Sequence, residues 1–411
     1  MERCILHVDC NCFYASVEML HRPETREVPM AVGGSEERRH GIILAKNDLA
    51  KKCGISTAEP LWSARQKCPE LLIIPPNFPL YLDFSRRVKK IFSDYTDQVE
   101  SFGIDEAWLD VTGSIQLFGS GEHIAHEIRQ RVKQELGITV SVGVSWNKVF
   151  AKLGSDLKKP DAVTMVTPEN YQAVVCPLPV NALLYVGRST EKKLGQLGIH
   201  TIGQLAQMSC EFLRGKFGKT GELLWSYANG LDTSPVAHQD ERAPIKSIGN
   251  STTTIRDITT PEEARLVFTV LAESVGTRLR EQGLFCRTIS ISTRTVKLSR
   301  TEHQCTLSRP SNETRTILQT ALALFTQGYS WNHPLRSLGI QLSGLTAASD
   351  PLQLDLFTDP ADLLRQSQLD RTVDQVRKRF GKASVLRASI LLDPALTGFD
   401  PKHQIQTIGF H

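Results

Sequence analysis

Several features of membrane and secreted proteins are missing from this chain of 411 residues. No apolar run reaches the length of about 18 residues that a membrane-spanning helix needs. The first residues, Met1 to His7, turn polar too early for a signal peptide. Nine cysteines are present, an odd number without any Cys-x-x-Cys pair, so neither a complete disulfide framework nor a simple zinc motif is visible. We therefore expect a protein of a reduced, cytoplasmic compartment, without a membrane segment.

Positive charge is in short supply except in one part of the chain, and the net charge is only +4. Residues 1–241 carry 27 lysines and arginines against 29 acidic residues, residues 242–346 carry 13 against 7, and residues 347–411 carry 8 against 8. A local basic surplus is the usual footprint of a polyanion such as a nucleic acid. A solvated basic face would give the same count, so charge alone leaves both interpretations open.

Strands alternate with helices in the first part of the chain. Apolar alternation predicts a strand over residues 4–9, and an apolar residue at every fourth position predicts a helix over residues 122–136. A strand follows that helix, and two short strands are predicted between residues 99 and 111. At roughly 100–200 residues per domain, the length allows two to four domains. The first of these is predicted to be an α/β domain.

Short helices interrupted by glycine are typical of residues 182–232. The helical run of residues 190–197, followed by Gly198, fits a helix–hairpin–helix, and residues 217–221 resemble a second one. Such hairpins can present backbone N–H groups to a phosphate, as helix N-termini do. An ordinary packed pair of helices is the alternative, and the occurrence of two hairpins in succession favours phosphate contact.

Residues 242–346 show the clearest pattern of the chain. A strand near residues 246–255 precedes Thr260, Pro261 and Glu263, which together supply an N-cap, a proline at the first helical position and a capping box. Two strands, a second helix and a last strand follow, so the order β-α-β-β-α-β predicts a split β-α-β domain. Its helices would cover one face of the sheet and leave the other, rich in Ser, Thr and Arg, free for a polar partner.

Three carboxylates stand at predicted strand ends. Asp9 ends the first strand, where an unpaired buried charge would be costly. Asp105 and Glu106 follow Gly103, which allows the turn that two neighbouring residues need to reach one ion. Oxygen ligands of this kind suit Mg²⁺, and a pair of such ions serves phosphoryl or nucleotidyl transfer. The alternative is a solvated Asp-Glu turn, with Asp9 paired to an arginine.

Five segments resemble motifs of the Y-family, DinB-like DNA polymerases, in order and with similar spacing. They are HVDCNCFYASVE at 7–18, GIDEAWLD at 103–110, SWNKVFAKLGSDLKKP at 145–160, FGK at 217–219 and KSIGNSTT at 246–253. The resemblance covers essentially residues 1–346 and implies a low-fidelity, lesion-bypass DNA polymerase without proofreading.

The resemblance also implies an architecture. We expect an α/β palm, small fingers, a helix–hairpin–helix thumb and a C-terminal β-α-β-β-α-β (little-finger) domain that grips DNA. Tyr185 stands where the first thumb hairpin of the family usually has a glycine. The implied boundaries are palm at 1–20 and 81–170, fingers at 21–80, thumb at 171–241, little finger at 242–346, and a linker with a helical tail at 347–411.

Individual residues acquire roles through the same resemblance. Two Mg²⁺ ions would be held by Asp9, Asp105 and Glu106, with the backbone carbonyl of Cys10 as a further ligand. Tyr14 would stack against the sugar and exclude ribonucleotides, and its alternative role is that of a core aromatic. The nucleotide-binding residues would be Cys10, Asn11, Cys12, Phe13, Tyr14, Lys51 and Lys159.

The implied reaction is attack of a primer 3′-OH on the α-phosphate of a deoxynucleoside triphosphate, in a monomer bound to primer–template DNA. One rival is a catalytically impaired accessory member of the family. Asp48 and Lys51 keep it open, because many members carry a tyrosine and an arginine there and lysine lacks the bidentate fork of arginine. The other rival is a nucleotidyl cyclase with a similar palm. Primer extension separates all three.

Residues 353–357 resemble the peptide by which bacterial polymerases bind the sliding clamp. Leu356 and Phe357 would fill an apolar pocket, and Gln353 would hydrogen-bond at its edge. Leu354 and Asp355 complete the motif. Its place in a polar linker after the last predicted domain is the one that a docking peptide needs.

Overall fold

The computed structural model describes residues 3–35, 39, 41–241, 244–347, 349–350 and 360–398. Its contacts divide the chain into two compact units, one of residues 1–34 and 41–242 and the other of residues 35–40 and 243–411. Within the described ranges, no helix is both long and apolar enough to cross a membrane.

The first unit is built on two sheets. Its strands are β1 (Ile5–Cys10), β2 (Met30–Gly33), β3 (Ile43–Lys46), β4 (Leu72–Ile74), β5 (Val99–Ser101), β6 (Glu106–Asp110), β7 (Val140–Ser145) and β8 (Val163–Met165). The larger sheet has the order β5-β6-β1-β7-β8, and the smaller one has the order β3-β2-β4. Neighbours in the larger sheet are antiparallel except for β7 and β8. The first strand of the chain is therefore central, between β6 and β7.

Helices connect these strands, and polar caps set several of their starts. The side chains of Asn77, Ser120 and Asn147 each accept a hydrogen bond from a backbone N–H in the first turn of the helix that follows. In chain order the helices are α1 (Phe13–His21), α2 (Asp48–Lys52), α3 (Leu61–Lys67), α4 (Phe78–Ser93), α5 (Ile115–Phe118), α6 (Gly121–Leu136), α7 (Lys148–Leu157), α8 (Tyr171–Val174), α9 (Arg188–Gln196), α10 (Ile202–Ala206), α11 (Cys210–Phe217) and α12 (Lys219–Ala228).

The two faces of β1 have different environments. Leu6 and Val8 are fully buried in the main apolar core, where residues of α4 and α6 pack. His7 and Asp9 contact side chains of α7 and of the residues just after it. Because side chains alternate along a strand, one face can be apolar while the other carries the chemistry. The predicted α/β domain is present, with a mainly antiparallel sheet.

The helical region after β8 contains the two predicted hairpins. Gly218, with φ 63°, separates α11 from α12. A Cβ on Gly221 would lie 2.1 Å from the carbonyl oxygen of Leu213, so glycine is what allows these helices to approach each other. Tyr185 has φ 68°, a left-handed conformation that glycine adopts more readily. Its ring stacks on Tyr227 at a centroid distance of 6.2 Å.

The second unit contains the predicted β-α-β-β-α-β fold. Its elements are β9 (Ser247–Ile258), α13 (Pro261–Glu281), β10 (Leu284–Thr295), β11 (Arg300–Ser311), α14 (Thr314–Gly328) and β12 (Leu335–Ala347). The sheet order is β11-β10-β12-β9, with antiparallel neighbours. Each helix therefore joins two parallel strands with a third strand between them. The predicted capping box between Thr260 and Glu263 is formed at the start of α13.

One face of this second sheet is covered and the other is polar, as predicted. Leu338, Ile340 and Leu342 of β12 are buried in the core that also contains residues of α13 and α14. The opposite face carries small polar side chains, among them Ser247, Ser251, Ser290, Ser292, Gln341 and Ser343.

The chain after β12 returns to the same unit as α15 (Pro360–Phe380) and α16 (Pro394–Thr397). Short 3-10 turns complete the described elements of both units, at Pro23–Arg26, Thr112–Ser114, Val180–Ala182 and Ala388–Leu392. The long helix agrees with the helical tail that the sequence predicts.

Ion pairs join α15 to α13. Arg280 of α13 is only 8% exposed; it donates to Asp374 at 2.6 Å and lies 3.3 Å from Asp370. Glu273 accepts from Arg377 at 2.9 Å. We call these five residues the α13–α15 seam. It fixes the C-terminal helix on the second unit, where the sequence suggested only a tail.

Candidate active site

Antiparallel pairing of β1 with β6 brings two of the predicted carboxylates together. Asp9 is the direct partner of Glu106 in the strand register. Residues directly opposite each other in an antiparallel pair project from the same face. Asp105 immediately precedes β6, and its carbonyl accepts a hydrogen bond from the N–H of Cys10 at 3.0 Å. The three carboxylates therefore stand at one end of the paired strands.

A tight turn before β6 gives Asp105 and Glu106 access to a common point. The N–H groups of Phe102 and Gly103 lie 3.1 and 3.4 Å from the carbonyl oxygen of Glu106. A Cβ on Gly103 would lie only 3.2 Å from Oδ1 of Asp105, so glycine keeps this space open. Lys89 donates to the Gly103 carbonyl at 2.9 Å and ties the turn to α4.

Two lysines balance part of the negative charge. Lys159 Nζ lies 2.9 Å from Asp9 Oδ2, and Lys152 Nζ lies 2.5 Å from Glu106 Oε2. Asp105 takes part in no ion pair with a described residue. The ligand oxygens of the three carboxylates do not all come within 4.8 Å of one another. Two carboxylates thus pair with lysines, and the third has no ion-pair partner among the described residues.

The pKa values of the carboxylates differ because their partners differ. Burial, together with the charges of Asp9 and Glu106, raises the pKa of Asp105 to about 6. Burial also raises the pKa of Asp9. It acts in the same direction on Glu106, but contacts with His7 and Lys152 outweigh it and lower the pKa to about 2. A divalent cation would supply the missing positive charge, and a set of oxygen donors fits one of the hard cations.

His7 is a residue of this site that the sequence interpretation missed. It is fully buried; its Nδ1 lies 2.7 Å from Ser155 Oγ, and its Nε2 lies 3.3 Å from Glu106 Oε2. Burial lowers the pKa of this imidazole. The signal was available, because His7 precedes Asp9 by two positions in a strand and therefore shares its face.

Phe13 and Tyr14 are neighbours at the start of α1 but lie in different surroundings. Phe13 is buried in the main core, and Tyr14 is half-buried. The ring of Tyr14 stacks on Tyr81, with centroids 4.4 Å apart and 17° between the planes, and it meets the edge of Phe78. Burial, and then the charge of Asp105, raises the pKa of Tyr14, so the phenol lies near this carboxylate.

The turn between β1 and α1 offers some of the predicted backbone donors. The N–H of Asn11 already donates to the carbonyl of Thr139 at 2.9 Å, and its side chain accepts from Ser141 at 2.9 Å. A phosphate contact by Asn11 stays a prediction, and it would compete with this bond. Cys12 has φ 49°, and the N–H groups of Cys12 and Phe13 have no acceptor among the described residues.

Lys51 is exposed on α2, and electrostatics place it near the same turn. Burial, and then the charge of Asp48, raises the pKa of the Cys12 thiol. Three cations act against this rise, namely Lys46, Lys51 and Lys159. Because charge effects fade with distance, these charged groups lie in the neighbourhood of Cys12.

The predicted clamp-binding motif lies in a part of the chain that the structure does not describe. Gln353, Leu354, Asp355, Leu356 and Phe357 lie outside the described residues. The nearest described elements are β12, which ends at Ala347, and α15, which begins at Pro360.

Three family descriptions match this chain, in the order of the predicted domains. Residues 8–156 match the impB/mucB/samB family, and residues 245–356 match the C-terminal domain of that family. Residues 183–232, the region of the two hairpins, match the DNA polymerase-iota thumb domain.

Curated relatives cover nearly the whole chain. The DNA polymerase IV of Acetivibrio thermocellus is 51% identical over 396 residues, which are 96% of this chain and 99% of the relative. The DNA polymerase IV of Clostridium acetobutylicum is 38% identical, over 95% of this chain and 99% of the relative. A solved Y-family DNA polymerase chimera of Dbh and Dpo4 has a TM-score of 0.73 at 23% identity, covering 84% of this chain and 99% of its own. Together with the family matches, this likeness confirms the predicted fold class.

Proposed function

The chain belongs to the impB/mucB/samB family of Y-family DNA polymerases, and we propose that it is a template-directed, low-fidelity DNA polymerase that bypasses lesions without proofreading. It would join deoxynucleotides to a primer 3′-OH. The observation that carries this proposal is the register that sets Asp9 against Glu106, with Asp105 beside them. The relatives named DNA polymerase IV support the same activity, and the impaired accessory role is not favoured.

The domain division that we propose is palm at 1–20 and 81–170, fingers at 21–80, thumb at 171–241, little finger at 242–346 and C-terminal segment at 347–411. Support comes from the sheets. The larger sheet of the first unit draws its strands from residues 5–10 and 99–165, and the smaller sheet draws its strands from residues 30–74. The seam in the second unit suggests that the C-terminal segment acts together with the little finger.

The proposed ligands of two Mg²⁺ ions are Asp9, Asp105, Glu106 and the carbonyl of Cys10, and bound ions would activate the primer hydroxyl and neutralise the triphosphate. Lys159 is 31% exposed beside Asp9, which allows its ammonium group to turn to a phosphate oxygen. The N–H groups of Cys12 and Phe13 lie at the start of α1, where the positive end of the helix dipole would also favour a negatively charged phosphate.

Nucleotide selection follows from the aromatic stack. Tyr81 and Phe78 pack against Tyr14, and Tyr81 itself donates to Glu18 at 2.7 Å. A ring held in this way cannot easily move aside, so we propose that it excludes the 2′-OH of a ribonucleotide. Lys51 adds positive charge to the neighbourhood without the bidentate contact of an arginine.

We propose two macromolecular partners, primer–template DNA and the sliding clamp. Primer–template DNA would lie on the polar face of the second sheet and on the hairpins of the first unit, which offer small polar side chains and helix N-termini. The sliding clamp would bind Gln353, Leu356 and Phe357. We propose a monomer that acts in the cytoplasm, the compartment that holds DNA in the bacteria from which the relatives come.

Primer extension by the full chain, with the variant Asp105→Ala, tests the proposed function. We expect extension to fall at least about 1000-fold, because several kcal/mol of transition-state stabilisation are lost and about 1.4 kcal/mol is tenfold. Affinity for primer–template DNA should stay within a few-fold, since phosphate contacts lie elsewhere. The matched control is Asp83→Ala, which removes an exposed carboxylate of α4 and should change neither quantity.

Two outcomes would contradict the proposal. Near wild-type extension by Asp105→Ala would remove this carboxylate from the catalytic machinery. A wild-type chain that binds primer–template DNA tightly but extends no primer with Mg²⁺ or Mn²⁺ would favour the accessory role.

A further inference from the structure

Two cysteines and a glutamate meet around the smaller sheet of the first unit. Cys53 follows α2, Cys68 follows α3, and Glu70 lies in the turn before β4. Their two sulfur atoms and a carboxylate oxygen all lie within 4.8 Å of one another. These residues take no part in the nucleotide chemistry described above.

The three groups differ in exposure in a way that suits a metal ion. Cys68 is only 1% exposed, Cys53 is half-buried, and Glu70 is exposed. The cluster is thus closed on the protein side and open to water on the other. Burial, and then hydrogen bonds to Cys53 and Glu70, raises the pKa of the Cys68 thiol to about 12.

The apolar core around Cys68 is small, so a cross-link there would stabilise this part of the fold. Around Cys68 it consists of Ala31, Ile43, Ala50, Ile55, Leu61, Ala64 and Leu71, without a buried aromatic side chain. Small cores of this kind are commonly reinforced by a disulfide or by a structural metal. An ion held by Cys53 and Cys68 would join the ends of two helices, α2 and α3, across this core.

We propose that Cys53, Cys68 and Glu70 bind one Zn²⁺ ion, with water as the fourth ligand. Two sulfurs and one carboxylate oxygen are donors that tetrahedral zinc accepts. On binding, each thiol releases its proton to solvent, so that two thiolates and one carboxylate face the ion and no electron is transferred. The spacing of 15 residues between the cysteines explains why no compact zinc motif is visible in the sequence.

This site would also act on the proposed nucleotide-binding region. Cys53 is the cap of α2, and its N–H donates to the carbonyl of Leu49 at 3.2 Å. Lys51 lies two residues earlier in the same short helix. An ion that fixes Cys53 therefore limits the motion of the helix that presents Lys51.

Cobalt binding to the full chain tests the proposal, because a thiolate ligand gives Co²⁺ a charge-transfer band that carboxylates do not produce. The protein is reduced with a phosphine, stripped with EDTA and titrated with Co²⁺, and Zn²⁺ is then added. We expect a thiolate band that saturates at one Co²⁺ per chain and disappears when Zn²⁺ replaces it. This readout separates the site from the carboxylates at the end of β1 and does not depend on polymerase activity.

Three variants make the test specific. Cys53→Ser with Cys68→Ser should abolish the band, and Glu70→Gln should weaken Co²⁺ binding at least about tenfold while keeping the band. Cys305→Ser removes an exposed cysteine of the second unit and should behave as wild type. Circular dichroism checks that each variant is folded.

The proposal is overturned if wild type shows no thiolate band, if the band survives the double substitution of Cys53 and Cys68, or if Cys305→Ser loses it equally. It is also overturned if mass spectrometry finds Cys53 and Cys68 joined as a disulfide, two hydrogens lighter, and the reduced protein binds no Co²⁺. In that case the pair is a redox pair and not a metal site.

Discussion

At the end of β1, three carboxylates meet two lysines, whereas between α13 and α15, Arg280 meets Asp370 and Asp374 in a space that is nearly closed to water. In the first region, Asp105 has no cationic partner among the described residues. In the second region, Thr277 and the backbone N–H of Thr314 add hydrogen bonds to the two aspartates. Each group of side chains thus has one carboxylate more than it has cations, but both aspartates contact Arg280 and neutral donors, whereas Asp105 forms no ion pair with a described residue.

The ion pairs of Arg280 stabilise the folded chain, whereas the carboxylates at the end of β1 repel one another unless a cation binds. Removing one partner of a buried, hydrogen-bonded ion pair leaves a charge uncompensated, which is strongly unfavourable. Removing a crowded carboxylate instead relieves repulsion in the folded chain. Mutations in the two regions should therefore change the free energy of unfolding in opposite directions.

The seam gives the largest expected effect on stability. Arg280→Ala should lower the free energy of unfolding of the second unit by about 3–5 kcal/mol, because Asp370 and Asp374 lose their buried partner. Urea unfolding, followed by a probe in the second unit, measures this. The matched control is Arg265→Ala on the same helix, where the side chain is exposed and the change should be small. Equal effects of the two variants would show that the seam is solvated.

The clamp motif tests whether the C-terminal side of the molecule takes any part in the chemistry. Replacing Leu356 and Phe357 by alanine should weaken clamp binding by about 2–4 kcal/mol if both are anchors, which is roughly 30-fold to 1000-fold. Single-nucleotide insertion without clamp should equal that of wild type, because the clamp acts through effective concentration. Clamp stimulation that survives the double substitution would place the contact elsewhere, and slower insertion without clamp would tie this segment to the catalytic unit.

Asp105 should make the free energy of unfolding depend on pH. The pKa of Asp105 rises on folding from the usual 3.8 to about 6, so the stability linked to its proton is present below about pH 4 and is lost as the pH rises through about 6. In EDTA, wild type should therefore lose roughly 1–3 kcal/mol of unfolding free energy between these limits relative to Asp105→Asn. Urea unfolding of both proteins at each pH measures the difference. Parallel pH profiles would contradict the raised pKa, and added Mg²⁺ should favour wild type at neutral pH.

Replacing Tyr14 should give the smallest of these effects, a change in the selection of deoxyribonucleotides over ribonucleotides. Tyr14→Ala should reduce discrimination against ribonucleotides at least about tenfold, or ~1.4 kcal/mol, because the ring backed by Tyr81 no longer fills the space of the 2′-OH. Ratios of kcat/KM for matched deoxy- and ribonucleotides measure this. Tyr14→Phe keeps the ring and serves as the control. Unchanged discrimination in the alanine variant would place the selecting contact elsewhere.

Local signals in the sequence were sufficient to predict most of the helices and strands and to select the carboxylates of the candidate site. The capping box of Thr260 and Glu263 and the helix-ending Gly137 depend on neighbouring residues only, and both appear in the structure. Asp9, Asp105 and Glu106 could be selected because strand ends and a glycine turn are visible in a short window. His7 was equally accessible through the two-residue period of a strand.

Other features depend on partners that are distant in the chain. Arg280 and Asp374 are 94 residues apart, and neither has a local feature that selects the other. The use of the Asn11 N–H by Thr139 depends on how β1 pairs with β7, which the sequence alone left open. The contact between Cys53 and Cys68 likewise needs the fold of the smaller sheet before it can be recognised.

The geometry of the proposed metal site depends on the register that pairs Asp9 with Glu106. An in-frame codon lost or gained within Ile5–Cys10 would shift the ladder by one position and turn Asp9 to the side now occupied by Val8. Such an indel should be as damaging as replacing the aspartate itself, although every proposed catalytic residue would still be encoded. Length variation among working genes should therefore be confined to surface connections, and this strand should vary only by substitution.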